Sequence, residues 1–242
     1  MIAKSPLHAA ACAVVPTIWR ERIIKRDFEV VLGKMLQSEQ SHPDETEEPY
    51  LRTANVQWDG VDLSDVKTMW FSPSEKRDLL LREGDLVVNE GGDVGRCAIW
   101  CGGLKACYFQ NAINRVRART SASTKFLYYW LYNLKHAGLI DAIVSRITIA
   151  HLTVEKLERL PWPDVPPAEQ QLIADFLDAS CAVIDGVSSL DRSSVDLSRP
   201  VNGVLNRQME NLADYRKSLI HECVTGQRRI TEADLNHVKA HG

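Results

Sequence analysis

The sequence predicts an α+β protein: a mixed α/β domain over 16–165, then long C-terminal helices over 166–227 that form a coiled coil or helical hairpin. Two observations carry that prediction. The first is a change of period within 157–185. Pro161, Pro163 and Pro166 keep the chain extended, and Pro167 suits a first helical position, where the donor it lacks would be orphaned anyway. Beyond it Leu172, Ile173, Phe176, Leu177, Cys181 and Ile184 fall on one helical face, with Glu169, Gln170, Asp175 and Asp178 largely on the other. The second is a seven-residue repeat, Leu205, Leu212 and Leu219, with Met209, Arg216 and Cys223 filling the seam and Gly226 as a stop. Such a seam has to be covered by the first helix, by another copy or by a partner protein. Between the two helices, 186–203 is rich in Ser, Asp and Pro and breaks the pattern, and 228–242 is left as a tail.

The upstream elements follow in order. Residues 1–15 are irregular, and 16–33 (PTIWRERIIKRDFEVVLG) alternate as one or two short strands with Trp19 as a core anchor. The acidic, proline-bounded 38–49 reads as a mobile loop, and YLRTANVQW (50–58) as a strand-like run ended by Asp59 and Gly60. Ser72 and Glu75 have the spacing of a capping box with Pro73 at the first helical position, so a short helix precedes a turn at Glu83–Gly84 and a buried strand. Gly91, Gly92 and Gly95 mark either a tight strand-to-strand connection or a nest of amides around a phosphate; the phrase lacks the lysine and Ser/Thr of a nucleotide-binding loop. A strand over 110–120 with Ile113 and Val116 inward leads to an aromatic helix over 123–134, capped by Ser123 or Thr124 and read as core. A β-branched stretch from Arg146 precedes a short helix begun at Thr153, and His151 is read as a structural histidine.

With 242 residues and 45% hydrophobic content, the chain can bury one core plus an attached helical element. Six unevenly spread cysteines in a chain of this size predict reduced thiols rather than a disulfide framework, and hence the cytoplasm. No apolar run approaches the roughly 20 residues of a membrane span, and the Ala-rich start, interrupted by His8 and without a clear cleavage site, is not read as a secretory signal.

A net charge of -3 excludes a protein that coats DNA through bulk positive charge. Between Cys97 and Ala150, however, Lys105, Arg115, Arg117, Arg119, Lys125, Lys135 and Arg146 face a single acid, Asp141. That segment is either a solvated face or a phosphate-facing surface. Side chains able to read bases cluster upstream and within it. Arginine can reach guanine bidentately, and asparagine or glutamine adenine. The candidates are Arg52, Asn55 and Gln57, then Asn89 and Arg96, then Gln110, Asn111, Asn114, Arg115 and Arg117. Cys97, Cys101 and Cys107 fit no common zinc spacing, and Asp85, Glu90 and Asp93 lack the companion residues of a magnesium nuclease.

Four stretches taken together resemble the specificity subunit of type I restriction-modification systems: YLRTANVQWDGVDLSDVK (50–67), EGDLVVNEGGDVGRCAI (83–99), QNAINRVRA (110–118), and the joint HLTVEKLERLPWPDVPPAEQQLIADFLD (151–178) with its later ENLADYRKSLIHECVTGQ (210–227). The resemblance runs from about Pro16, where a Pro-x-x-Trp phrase opens the recognition domain, to Ile230. It implies a non-catalytic DNA-recognition and scaffolding subunit that binds duplex DNA and recruits a methylase subunit and a restriction translocase. S-adenosylmethionine would then sit on the methylase. In agreement, the sequence has neither a glycine-rich S-adenosylmethionine loop nor an Asn-Pro-Pro-aromatic tetrad. Leu172, Phe176, Leu177 and Ile184 with Leu205, Met209, Leu212 and Leu219 become the partner or dimer helices.

Members of that family usually carry two recognition domains, and this chain has one, so a bipartite target would require two copies related by a two-fold axis. Two other function classes stand beside this one: a metal-dependent nuclease using the acids around Gly84–Asp93, and an adaptor or truncated remnant that has lost DNA binding.

Overall fold

The computed structural model describes residues 19–144, 151–193 and 202–241, with the side chains of 188–193 and 202–205 excluded. The irregular start, the domain opening at Pro16, the β-branched run from Arg146 and residues 194–201 of the Ser/Asp/Pro break lie outside the described residues, whereas 186–193, expected to break the helix, continue it to Ser193, since the proline of the break, Pro200, comes only later. In chain order the strands are β1 (Glu21–Ile23), β2 (Phe28–Leu32), β3 (Thr46–Leu51), β4 (Val56–Gln57), β5 (Gly60–Val61), β6 (Lys67–Phe71), β7 (Leu86–Asn89), β8 (Cys97–Ile99), β9 (Tyr108–Phe109), β10 (Ile113–Ala118) and β11 (Pro161–Pro163). The helices are α1 (Pro73–Leu79), α2 (Thr124–His136), α3 (Leu139–Val144), α4 (Val154–Glu158), α5 (Pro167–Ser193), α6 (Asn202–Val224) and α7 (Glu232–His241).

An antiparallel sheet in the order β2-β10-β7-β8 is the centre of the domain, and it is buried on both faces. Strand side chains alternate, so each strand supplies two cores. Phe28, Val30, Leu86, Val88, Cys97 and Val116 join the cluster that holds the helices. Val87, Ala98 and Ile113 join a second cluster against the sheet β6-β3-β9. Ile113 and Val116 are both inward, three residues apart, because they serve opposite faces.

Helix α2 has its aromatic residues on every side because it is packed on every side. Ser123 Oγ caps it by accepting from Phe126 N at 3.2 Å, and Phe126, Leu127, Trp130 and Leu131 are fully buried. Burying a side chain such as Phe126 stabilises the fold by about 2–3 kcal/mol. Trp130 Nε1 donates to Pro161 O at 2.9 Å, which satisfies its polar end inside the core. Strand β11 pairs with β1, Ile23 opposite Pro161, so the segment entering α5 is strapped to the first strand of the domain.

Helix α5 starts at Pro167 and buries Ile173, Phe176, Leu177, Cys181 and Ile184, with Leu172 half-buried. Helix α6 runs antiparallel to it: Arg216 pairs with Asp185 at 2.9 Å, and Leu219, one turn on, lines the same groove as Phe176. On α6 the inward seam is Met209, Leu212, Arg216, Leu219 and Cys223, with Gly226 at φ 74° past its end. The side chain of Leu205 lies outside the described residues. The arrangement is a helical hairpin that also packs on α2.

Four expectations are corrected. Gln170 is buried rather than solvated: it accepts from Ser123 N at 2.8 Å and donates to Val165 O at 2.7 Å, tying the start of α5 to the start of α2. The tail is partly helical: α7 is capped by Thr231, whose Oγ1 accepts from Asp234 N, and it packs on α5 through Leu235. The acidic loop is built rather than loose at its C-terminal end. Glu45 is buried and accepts from Ser41 N (2.7 Å), His42 N (3.2 Å) and Gln37 Nε2 (2.9 Å), and β3 begins at Thr46. The run after Tyr50 is likewise no single strand. Asn55 Oδ1 accepts from Arg52 N at 2.8 Å and closes a 3-10 turn over Thr53–Asn55 before β4.

Candidate nucleic-acid interface

The stretches that carry the candidate base readers meet at one rim of the central sheet. Backbone bonds stitch them together: Gln110 N donates to Leu51 O (3.1 Å), Asn111 N to Lys34 O (2.8 Å) and Glu90 N to Ala112 O (2.9 Å). Side chains add two links, Asn89 Nδ2 to Thr53 O (3.3 Å) and Arg96 Nη1 to Gln57 Oε1 (2.8 Å). The glycine phrase is a tight strand-to-strand connection, with Asn89 N donating to Arg96 O at 2.8 Å, Gly95 N donating to Asn89 O at 2.9 Å, and Gly95 at φ 82°. A Cβ on Gly95 would stand 2.9 Å from Ile140, so close packing on α3 reinforces what the positive φ already demands.

Within this rim the candidates divide into frame and surface. Asn55, Asn89 and Asn114 are buried, and their amides hold backbone: Asn55 Nδ2 donates to Asp62 O at 2.9 Å and Asn114 Nδ2 to Leu152 O at 3.0 Å. Arg52 is half-buried and pairs with Asp65 at 2.7 Å, and Arg96 pairs with Asp93 at 3.3 Å while Gln57 also bonds Ala54 O. Gln110 is half-buried and Asn111 exposed, and neither side-chain amide bonds to any described residue.

Asn114, Arg115 and Arg117 do not offer themselves to a ligand at this surface, which corrects the densest cluster read from the sequence. Odd-numbered residues of β10 point into the second core, and a guanidinium buried there has to be paired. Arg115 is 3% exposed, donates to Asp78 O (2.7 Å) and Glu29 Oε2 (2.9 Å), and burial lowers its pKa. Arg117 binds Asp85 through Nε and Nη2, and that bond raises its pKa. The described residues of the basic segment are divided between ion pairs and solvent, with Lys125 on Asp178, Lys135 on Asp93 and Asp141, and Arg119 3.9 Å from Glu29, while Lys105 is exposed; Arg146 lies outside the described residues.

The same bonds disperse the acids once grouped as a nuclease cluster. Asp85 belongs to Arg117, Asp93 to Arg96 and Lys135, and Glu90 lies 3.9 Å from His151. Cys97 and Cys107 are buried, and desolvation raises both thiols, that of Cys107 to about 12. Among the described residues no three His, Cys, Asp or Glu side chains come together as a metal ion requires, and no helix is long and apolar enough to cross a membrane. His151, read as a structural histidine, stands half-exposed at the rim, 3.9 Å from Glu90. The sequence reading also passed over Met35 and Leu36, the most exposed large apolar side chains among the described residues. Their flanking Lys34 and Gln37 gave no motif, and only the structure places them beside Asn111.

Comparison with known proteins gives this geometry a family. Residues 19–185 match the model of the type I restriction modification DNA specificity domain. The type I restriction enzyme EcoBI specificity subunit of Escherichia coli is 25% identical over 155 residues, 64% of this chain and 28% of that subunit. A chain from a structural study of complex assembly and conformational transition in a type I R-M system superposes with a TM-score of 0.53 at 18% identity, over 88% of this chain and 47% of the other. The HsdS subunit from Thermoanaerobacter tengcongensis superposes with a TM-score of 0.50 at 20% identity, over 92% of this chain and 50% of its own. The chain thus spans half or less of the length of these relatives, and their shared fold includes the mixed domain and its C-terminal helices. On the match across 19–185, the chain belongs to the type I restriction modification DNA specificity domain family.

Proposed function

We propose that this chain is a non-catalytic reader of one half of a bipartite duplex DNA target, and that its α5–α6 hairpin recruits a methylase subunit and, through it, a restriction translocase. The observation that carries the reading is the rim: four separate loops are locked together behind Gln110 and Asn111, so two amides without a partner among the described residues are presented on a rigid frame. Amides fixed in this way suit adenine edges in the major groove, where direct contacts specify sequence and phosphate contacts only position. Asp85 is committed to Arg117 rather than to a metal, so the nuclease alternative has no observation in its favour. S-adenosylmethionine belongs on the methylase, since the sequence has no loop to cradle it. A bipartite target needs two such domains, and we propose that self-association of this chain supplies them, in the cytoplasm where its DNA is.

Light scattering of the chain alone and with its neighbouring methylase tests the scaffold. A dimer, or a complex with two copies of each subunit, is expected; a monomer that ignores the methylase contradicts it. A duplex shift with both proteins tests recognition, and absence of sequence preference at every salt concentration contradicts that part.

A further inference from the structure

Met35 and Leu36 are consecutive, 74% and 60% exposed, and held from both sides. On one side Lys34 N donates to Phe109 O at 3.0 Å and Lys34 O accepts from Asn111 N at 2.8 Å. Gly33 lies so close to this turn that a Cβ would stand 2.3 Å from Gln110 O. On the other side Gln37 O accepts from Trp70 N at 3.3 Å, and its Nε2 donates to Glu45 Oε2 at 2.9 Å. Single exposed apolar residues are ordinary on a protein surface, but two in succession on a pinned ridge form a feature of fixed shape. Two carboxylates near the ridge are engaged, Glu75 with Lys34 and Glu48 with Lys76, while Glu39, three residues beyond Leu36, is exposed without an ion pair among the described residues.

The ridge begins one residue from Lys34, whose carbonyl is bonded to Asn111 N, so the backbone of the apolar pair runs beside a residue whose amide has no partner among the described residues. That pairing of chemistries matches one base pair in particular. In the major groove an A·T pair offers the N6 and N7 of adenine to an amide and the C5-methyl of thymine to an apolar group. We infer that Met35 and Leu36 contact thymine methyl groups next to adenines read by Gln110 and Asn111, so that the half-site contains A·T pairs recognised by both edges. This rests on the DNA-reading role proposed above.

The test uses the full chain with its methylase and duplexes selected from a random-sequence pool. Each selected thymine is replaced by deoxyuridine, which removes only the methyl. Wild type should lose about four-fold in affinity for each contacted methyl removed, the worth of one buried carbon. The Met35→Ala/Leu36→Ala protein, whose altered side chains are exposed and should leave thermal melting unchanged, should bind thymine and deoxyuridine duplexes alike. Equal wild-type affinity for the two duplexes, or a double variant that keeps the wild-type ratio, overturns the inference. A double variant that loses the methylase but keeps its DNA also overturns it, and makes the ridge a protein-docking element. If wild type selects no sequence at all, the DNA-reading role itself fails, and the inference with it.

Discussion

Arg117 holds Asp85 in a two-pronged grip, Nε and Nη2 each 2.7 Å from a carboxylate oxygen, across the neighbouring strands β10 and β7. Asp85 is 2% exposed, and it also accepts from Arg82 N at 2.7 Å at the turn that starts β7. The pair closes the edge of the second core, where Leu80 O takes a further bond from Arg117 at 3.0 Å.

Breaking this pair from one side should therefore destabilise the fold. Arg117→Ala leaves a buried carboxylate without its cation, and a loss of about 3 kcal/mol is expected in urea unfolding. Arg117→Lys keeps the charge but not the fork, so it should fall in between. Equal stability of Arg117→Ala and wild type would show that Asp85 is satisfied in some other way.

Gly33→Ala should cost about 1–3 kcal/mol, because the added methyl meets the carbonyl oxygens of Gln110 and Phe109 at 2.3 and 2.4 Å, and backbone cannot step aside as a side chain can. Thermal melting measures it. Since Gly33 sets the approach of Lys34 to the rim, the same variant should weaken specific DNA binding more than its stability loss explains.

Only some thiols should react in the folded protein. Burial raises the pKa of Cys97, Cys107, Cys181 and Cys223, that of Cys223 to about 12, whereas Cys101 is exposed. A disulfide reagent followed by peptide mass spectrometry should label Cys101 rapidly and these four only after unfolding. Rapid labelling of Cys223 would mean that α6 opens from α5 in solution.

Glu90 gives the rim a pH dependence of defined sign. Burial raises its pKa above the ordinary 4.5, with His151 opposing, so the folded state binds this proton more tightly than the unfolded chain. Its contribution to stability is then full below the ordinary carboxylate pKa and is lost as pH rises through the raised value. Glu90→Gln should remove that decline and be the more stable protein at neutral pH relative to its acid-side difference from wild type. Parallel stability–pH curves for the two proteins would contradict this.

What could be read beforehand was what depends on local pattern. Ser72, Pro73 and Glu75 specify the start of α1 through groups within one turn, and Pro167 does the same for α5. The seam Leu212, Leu219 and Cys223 was legible because a helix repeats its face. The fate of Arg115 and Arg117 was not, because it depends on whether β10 is central or at an edge. Their partners Glu29 and Asp85 lie 86 and 32 residues away, and only the strand order brings them together. Alternation alone would have put Arg115 and Arg117 on the same face as Ile113, and this was the available warning that they point inward. Met35 and Leu36 were illegible for the opposite reason, since no short-range rule tells an exposed apolar pair from a buried one.

The most direct test of the account is the affinity of the chain with its methylase for a duplex chosen from a random pool, measured for wild type and Gln110→Ala/Asn111→Ala. The altered side chains have no partners among the described residues, so stability should stay within about 0.5 kcal/mol. The account predicts that affinity for the selected duplex falls by about ten-fold or more while binding to scrambled DNA is unchanged, as expected for a base-reading contact. A double variant that discriminates between the two duplexes as well as wild type does would contradict it and move recognition away from this rim.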